Sequence, residues 1–435
     1  MPTERERSLE TLLLFAMLFW IAGMPTYWLV ANHATAFIPV LKAERVAYLA
    51  VVGLLAACIL GGRVAPRRLD ALDLAVAAYL GIALLSWIGT VSSKDVAELK
   101  QDGDLFLTCL FMPFTAYFAA RRIEWTPDRV RLAIWILILG AGACLTLIGL
   151  VQTFYDWSFL VVDPIHSHRD RAKGTFPNGV VYGISMALFL VVTLFLCLRS
   201  RGRGERAGAL ALATAMSLCV LGSKTRIAWA STALALGLVA FRVPRIRVLL
   251  AIPAAAVAAQ VLLIPALGSD PLNLRSRALQ KSPALDRVAL SATALNMIRH
   301  RPLLGFGFGK NTFNRAKVDY YASWGGVSPK EAEFPYSSHN AFLTAAVLMG
   351  VVGLLAYLAL MVASWQALAG ACARQGDAGP FAADLALFVQ GAFLVLFLSG
   401  QLHDVTLLSF PQVLFFFLLG MAVQPAVPAH AGGER

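Results

Sequence analysis

Charge is scarce in this sequence. Only 14% of its 435 residues are Asp, Glu, Lys or Arg, against 58% hydrophobic, whereas a soluble chain carries roughly a quarter charged residues. That shortage excludes an ordinary soluble domain and points to a chain solvated largely by lipid. Cysteine is sparse as well: Cys58, Cys109, Cys144, Cys197, Cys219 and Cys372. Five fall inside apolar runs and one in a short loop, a distribution that excludes a disulfide framework and zinc-type spacing. No Ala-x-Ala-like cleavage site closes the first apolar segment, which therefore reads as an uncleaved anchor. Long internal repeats and low-complexity tracts are also missing. Gly305, Gly307 and Gly309 lack a preceding strand and a G-K-[ST] sequence, so they read as a flexible, apolar-decorated turn and not as a nucleotide loop.

What is present is a series of long apolar runs. A helix needs about 20 such residues to cross a bilayer, and runs meeting or approaching that length lie at about 9–30, 43–62, 71–91, 104–120, 130–154, 178–198, 207–222, 227–242, 247–267, 340–368, 381–402 and 405–424. The expectation is an all-α polytopic membrane protein with about 12 transmembrane helices. Nine of them fill residues 1–267, a large polar loop domain occupies 268–338, three more helices fill 339–424, and 425–435 is a tail. The runs at 207–222 and 227–242 read as two spans meeting at the Ser223-Lys-Thr-Arg226 turn, with one broken helix as the alternative.

The net charge of +12 reads as topology and not as nucleic-acid binding, because basic residues gather in cytoplasmic loops. With a cytoplasmic N-terminus, 18 of the 37 basic residues fall in cytoplasmic segments, nine in short loops opposite, and ten in the long loop. The bias puts both termini in the cytoplasm and turns the long loop, Lys224, Arg226 and His339 outward. Basic residues on the disfavoured side need another reason to be there. Lys224 and Arg226 sit at a turn where a guanidinium and unsatisfied helix N–H groups suit an anionic lipid headgroup. Arg171 and Lys173 lie just before Gly174-Thr-Phe-Pro-Asn178, a turn leading back into the membrane. His166 and His168 form an H-x-H pair without a fixed third ligand.

In the long loop, Ser282-Pro283 predicts a helix start and Arg301-Pro302 its end. Tyr320, Tyr321, Trp324, Phe334 and Tyr336 then lead to Ser338-His339-Asn340 at the mouth of the next apolar run, which continues through Gly350 and Gly353. Histidine is the side chain whose ordinary pKa permits proton transfer near neutral pH, so His339 is a candidate general base at the membrane surface. Its glycines are expected to permit close helix contact. Asp404 beside His403 reads as a helix cap before it reads as part of a proton relay.

Four features recur in order: Arg171 with Gly174-Thr-Phe and Asn178; Ser223-Lys-Thr-Arg-Ile-Ala228; Arg287, Met297 and Arg301-Pro-Leu-Leu-Gly-Phe-Gly307; and Ser338-His-Asn-Ala-Phe-Leu343 with Gly350-x-x-Gly353. The set resembles the O-antigen ligase and polymerase superfamily of bacterial membrane glycosyltransferases, most densely from about 170 to 361. Family members often carry an acidic residue shortly before the glycine, where this chain has Leu348-Met349, so a carboxylate partner for His339 is not expected from its own helix.

The resemblance implies a GT-C-type inner-membrane enzyme, free of metal and other cofactors. It would move a glycan from undecaprenyl pyrophosphate to lipid A–core oligosaccharide on the periplasmic side, for lipopolysaccharide biosynthesis. It also implies site roles: His339 as base, Asn340 orienting it or the acceptor sugar, and Arg171, Lys224, Arg226, Arg287, Lys173 and Arg301 on the pyrophosphate. A polymerase acting on the same carrier, and a lipid-linked glycan transporter or flippase, are the alternatives.

Overall fold

The computed structural model describes residues 4–26, 43–60, 69–161, 171–266, 282–320 and 337–424. Over these the chain is helical, with no strand. The helices are α1 (Glu4–Gly23), α2 (Ala43–Leu60), α3 (Ala71–Ile88), α4 (Val96–Ala120), α5 (Pro127–Phe154), α6 (Gly179–Arg199), α7 (Arg203–Gly222), α8 (Arg226–Arg242), α9 (Pro244–Ala266), α10 (Ser282–His300), α11 (Thr312–Tyr320), α12 (Ala341–Ala373), α13 (Gln375–Ser399) and α14 (Ser409–Ala422). Each apolar run of the sequence overlaps one of them. Among the described residues, eight helices are long and apolar enough to cross a membrane, while the apolar part of α1 and α14 are shorter. The protein is thus an all-α, polytopic membrane protein. The aromatic residues at 321–336, the His166/His168 pair and the C-terminal tail lie outside the described residues.

Two spans contain π turns, at Leu107–Phe111 in α4 and Ile138–Gly142 in α5. The π turn in α4 ends two residues before Pro113, which has no N–H to give to an ordinary helical bond. Helix α6 is the hub. It is buried along nearly its whole length and packs against α7, α13 and α14. Peripheral helices instead present large apolar side chains outward, such as Leu85, Phe241 and Val248, as a lipid-facing surface requires. The Ser223–Thr225 turn joins two separate helices: α7 packs on α6, whereas α8 packs on α13.

Helix α12 is not one straight span. Gly350 sits at φ 68° and ψ −167°, and the Phe342 and Tyr357 rings, 15 residues apart in sequence, lie 5.2 Å apart. A straight helix would separate them by about 22 Å along its axis, so the chain folds sharply at Gly350. The second limb, residues 351–373, is about 34 Å long and can cross a bilayer alone. The first limb, 341–349, is left to serve the polar side.

The bend has a physical cause, and it corrects two expectations. Breaking the helix frees carbonyls, and the segment after α10 takes them: Phe306 N–H donates to Val347 O at 2.8 Å and Gly307 N–H to Leu348 O at 2.9 Å, while Val351 N–H donates to Pro302 O at 2.7 Å. A Cβ on Gly350 would meet Leu303 O at 2.1 Å. Gly350 therefore admits a strand of backbone; helix contact is not its purpose. The 305–309 turn, expected to be flexible, is pinned. Ser86 Oγ donates to Leu348 O and accepts from Phe308 N–H. Lys94 Nζ donates to Phe308 O at 3.1 Å and to Asp102 Oδ2 at 2.7 Å, and Asp102 Oδ1 accepts from Lys310 N–H at 2.7 Å.

Helix α10 spans the residues its proline signals predict. Leu290, Ala294 and Met297, at helical spacing, meet Val347 of the first limb and Phe313 of α11 in a small core separate from the main one. This second core fixes the first limb of α12, and with it the residues just before it.

Candidate functional site

The residues before α12 form a tight, strained turn. His339 adopts φ 52°, a left-handed conformation that costs a non-glycine residue energy and concentrates at functional positions. Asn340 follows as the N-cap of α12, its Oδ1 accepting from Phe342 N–H at 2.9 Å and Leu343 N–H at 3.0 Å. Its Nδ2 donates to Gln401 O at 3.0 Å, and Ala341 N–H donates to Gly400 O at 2.8 Å. Both ends of the Asn340 amide are thus engaged with the protein. They clasp the His339 turn to the loop between α13 and α14.

That loop brings His403 and Asp404. The His403 and His339 rings stand edge to face with centroids 5.8 Å apart, and Arg287 Nη2 lies 3.4 Å from His403 Nε2. Burial, then Arg287, His339 and Arg171, push the His403 pKa down to about 3. Asp404 is 6% exposed. It is not the side-chain cap expected of it: it makes no cap hydrogen bond to the 3₁₀ turn that follows. Its Oδ1 accepts from Thr344 Oγ1 at 2.5 Å and Ser338 Oγ at 3.4 Å, while Oδ2 has no hydrogen-bond partner among the described residues. Burial lowers the His339 pKa, Asp404 opposes that, and Arg287 reinforces it. A carboxylate therefore does act on His339, contributed by the last loop and not by its own helix. The net shift keeps the imidazole neutral at pH 7, the form that accepts a proton.

The other predicted residues sort by position. Arg171 acts electrostatically on His403 and begins a segment sewn to the α7–α8 turn, with Ala172 N–H donating to Gly222 O at 3.0 Å. Gln152 staples that segment from α5, accepting from the N–H groups of Lys173 and Gly174 and donating to Gly174 O. Lys173, expected near the membrane interface, is 1% exposed and packed inside the protein. Lys224 is also buried and left-handed, at φ 51°, while Arg226 opens α8 and is exposed. Ser231 Oγ, five residues on, lies 3.4 Å from Ser399 Oγ at the end of α13. The Lys224–Arg226 turn therefore sits within one or two helical turns of the Gly400–Asp404 loop. Arg301 does not join this group. It lies 14 residues beyond Arg287, about 21 Å along α10, and stacks on Phe306 at 5.0 Å. Of the two, only Arg287 is directed at the site.

On another side of His339 a cavity of about 270 Å³ opens between the first turn of α11 and the start of α12. It is lined by Gly309, Lys310, Asn311, Phe313, Asn314, Ser337, His339, Thr344, Leu348 and Leu407. Among the described residues no three His, Cys, Asp or Glu side chains converge as a metal site needs. Sequence reasoning missed Thr344 and Ser338 as partners of Asp404, and the Gln152 staple. The pairing of His403 with Asp404 was the one local signal available.

Residues 210–358 match the O-antigen ligase family model. The match covers about a third of the chain and contains Lys224, Arg226, Arg287, His339 and Asn340. Arg171, His403 and Asp404 lie outside it. Over that segment the chain is similar to the O-antigen ligase family. No curated protein matches the chain.

Proposed function

We propose that this protein is an O-antigen ligase. It transfers a polysaccharide from undecaprenyl pyrophosphate to a sugar hydroxyl of lipid A–core on the periplasmic face of the inner membrane, through a GT-C-type fold of twelve spans with both termini cytoplasmic. The observation that carries the reading is the convergence, within and beside the matched segment, of a proton-accepting His339 with arginines on one side and a polar cavity on the other.

The chemistry follows from the groups. A sugar pyrophosphate is already activated, so its departure needs charge stabilisation and not protonation. Arg287 and Arg171, with Lys224 and Arg226 on the adjoining turn, support that role without requiring a metal. The acceptor hydroxyl gives its proton to the neutral His339 imidazole as its oxygen bonds to the anomeric carbon. The anomeric carbon–phosphate oxygen bond breaks, and the electron pair leaves on the pyrophosphate. One displacement inverts the anomeric centre. Asn340 holds the His339 turn, and Asp404 stabilises the imidazolium that forms.

The test replaces His339 with Ala in a strain lacking the native copy of this enzyme and examines lipopolysaccharide on gels. Loss of all polymer-capped lipopolysaccharide, with polymer accumulating on the carrier, supports the ligase. Core bearing a single repeat assigns the polymerase reaction instead. An unchanged profile overturns both, and lipid-linked glycan trapped on the cytoplasmic side indicates a flippase.

A further inference from the structure

The cavity beside His339 has a composition that the donor site does not explain. The pyrophosphate-directed arginines lie toward His403, and neither Arg287 nor Arg171 lines the cavity. Its polar lining is Lys310, Asn311, Asn314, Ser337, His339 and Thr344. An isoprenoid chain placed there would strip water from these groups and leave them unpaired, at a cost for each. A pyrophosphate would find one lysine. Amides, hydroxyls and an ammonium, with no carboxylate among the lining residues, instead suit a ring bearing hydroxyls and carrying no positive charge.

Two further observations point the same way. Asn314 Oδ1 is buried with no hydrogen-bond partner among the described residues, and such a buried acceptor is what a ligand hydroxyl satisfies. Phe313 beside it, 6% exposed, adds an apolar face of the kind that packs against the C–H edge of a sugar. The volume, about 270 Å³, falls just under the ~300 Å³ where drug-sized sites begin. It holds a single ring, not an oligosaccharide.

The wall carrying these residues is also held in advance. Lys310 N–H is fixed to Asp102 and Phe308 O to Lys94, while Asn311 Nδ2 donates to Gln101 Oε1 at 2.9 Å. A wall ordered before binding loses little freedom when the ligand arrives.

We propose that this cavity is the subsite for the acceptor's reacting sugar ring, neutral or anionic, with Asn314 and Lys310 reading ring groups and His339 facing the hydroxyl that attacks. The assignment rests on the glycosyl-transfer reading above. It separates the two substrates: donor charge on the His403 side of His339, acceptor ring on the α11 side.

The experiment uses the full-length protein in lipid nanodiscs, with undecaprenyl pyrophosphate-linked polysaccharide as donor and lipid A–core from a rough strain as acceptor. At saturating donor, Asn314→Ala is expected to raise the acceptor KM roughly three- to tenfold, the size of one lost neutral hydrogen bond. The donor KM and kcat should stay near wild type. Asn314→Asp keeps the accepting oxygen and is expected to restore most of the acceptor KM. A melting temperature within a few degrees of wild type shows that both variants are folded. An unchanged acceptor KM in Asn314→Ala, or a rise confined to the donor KM, overturns the subsite. If the wild type instead elongates only a carrier-linked repeat, the ligase reading falls, and the same KM comparison is made with that repeat as acceptor.

Discussion

Asp404 and His339 sit in different loops, 65 positions apart in sequence, and are bound into one electrostatic unit through Ser338 and Thr344. The Thr344 hydroxyl donates to Asp404 Oδ1 at 2.5 Å, and Ser338 bridges the same oxygen to the His339 turn. On the other side Arg287 reaches His403, whose ring stands 5.8 Å from that of His339. A carboxylate and a guanidinium therefore pull the histidine in opposite directions.

This opposition makes the pH dependence testable by sign. His339 must be neutral to accept a proton, and its pKa lies below the ordinary histidine value. Activity should be full at pH 7 and fall as pH drops through a value under 6.5. Asp404 raises that pKa and Arg287 lowers it. In Asp404→Asn the acid limb of kcat/KM should move to lower pH, and in Arg287→Gln it should move higher, on top of any loss in rate. Limbs that stay fixed in both variants assign the base to another group.

Gly350 supplies a second prediction. A side chain there needs a left-handed backbone, costing about 1–3 kcal/mol, and its Cβ would collide with Leu303 O. Gly350→Ala should lower the melting temperature by several degrees and abolish activity, because the first limb of α12 carries the His339 turn. Gly237→Ala is the control. Nothing lies within 4 Å of the Cβ it would gain, and alanine favours a helix interior, so the melting temperature should hold or rise.

The outline of the fold was legible in the sequence because span formation is local: a run of apolar residues is a helix wherever lipid surrounds it. Pro283 and Pro302 likewise delimit α10 by local sterics alone. Arg287 and His339 were marked as candidates by their place in the motif order, and the fold brings them into one cluster. Asp404 was noticed but misassigned, since its hydroxyl partners lie 60 and 66 residues away and a cap is the local explanation. The glycine turn at 305–309 was misread for the same reason, its lock being Ser86, Lys94 and Asp102, more than 200 positions distant. Lys94 counted in the sequence only as one charge among the loops.

Lys94 and Asp102 give a third prediction. Their side chains are 8% and 4% exposed, and removing one partner of a buried pair leaves a charge uncompensated, at about 3–5 kcal/mol. Lys94→Met and Asp102→Asn should each destabilise the protein strongly in thermal unfolding. The Lys94→Met/Asp102→Asn double variant should be destabilised by clearly less than the sum, since no lone charge remains. Strict additivity would mean that the two side chains act separately on the glycine turn.

Arg287 in α10 and Arg301 just beyond its end give the last prediction. Arg287 and Arg301 both follow the family-like motif, yet the length of α10 sets them about 21 Å apart, one against His403 and the other on the Phe306 ring. If the pyrophosphate is held on the His403 side of His339, Arg287→Ala removes a charge aimed at the leaving group. Losses of roughly 10²–10³-fold in kcat are typical when one such stabilising group is deleted. Arg287→Lys should recover only part of this, because a point charge does not reproduce the guanidinium fork. Arg301 is exposed and its ring contact is worth about 0.5–1 kcal/mol, so Arg301→Ala should leave kcat within a few-fold and lower stability slightly. Single-turnover transfer to lipid A–core at saturating donor measures both. Equal loss in the two variants would move the pyrophosphate toward the Gly350 end of α10 and away from the His403 cluster.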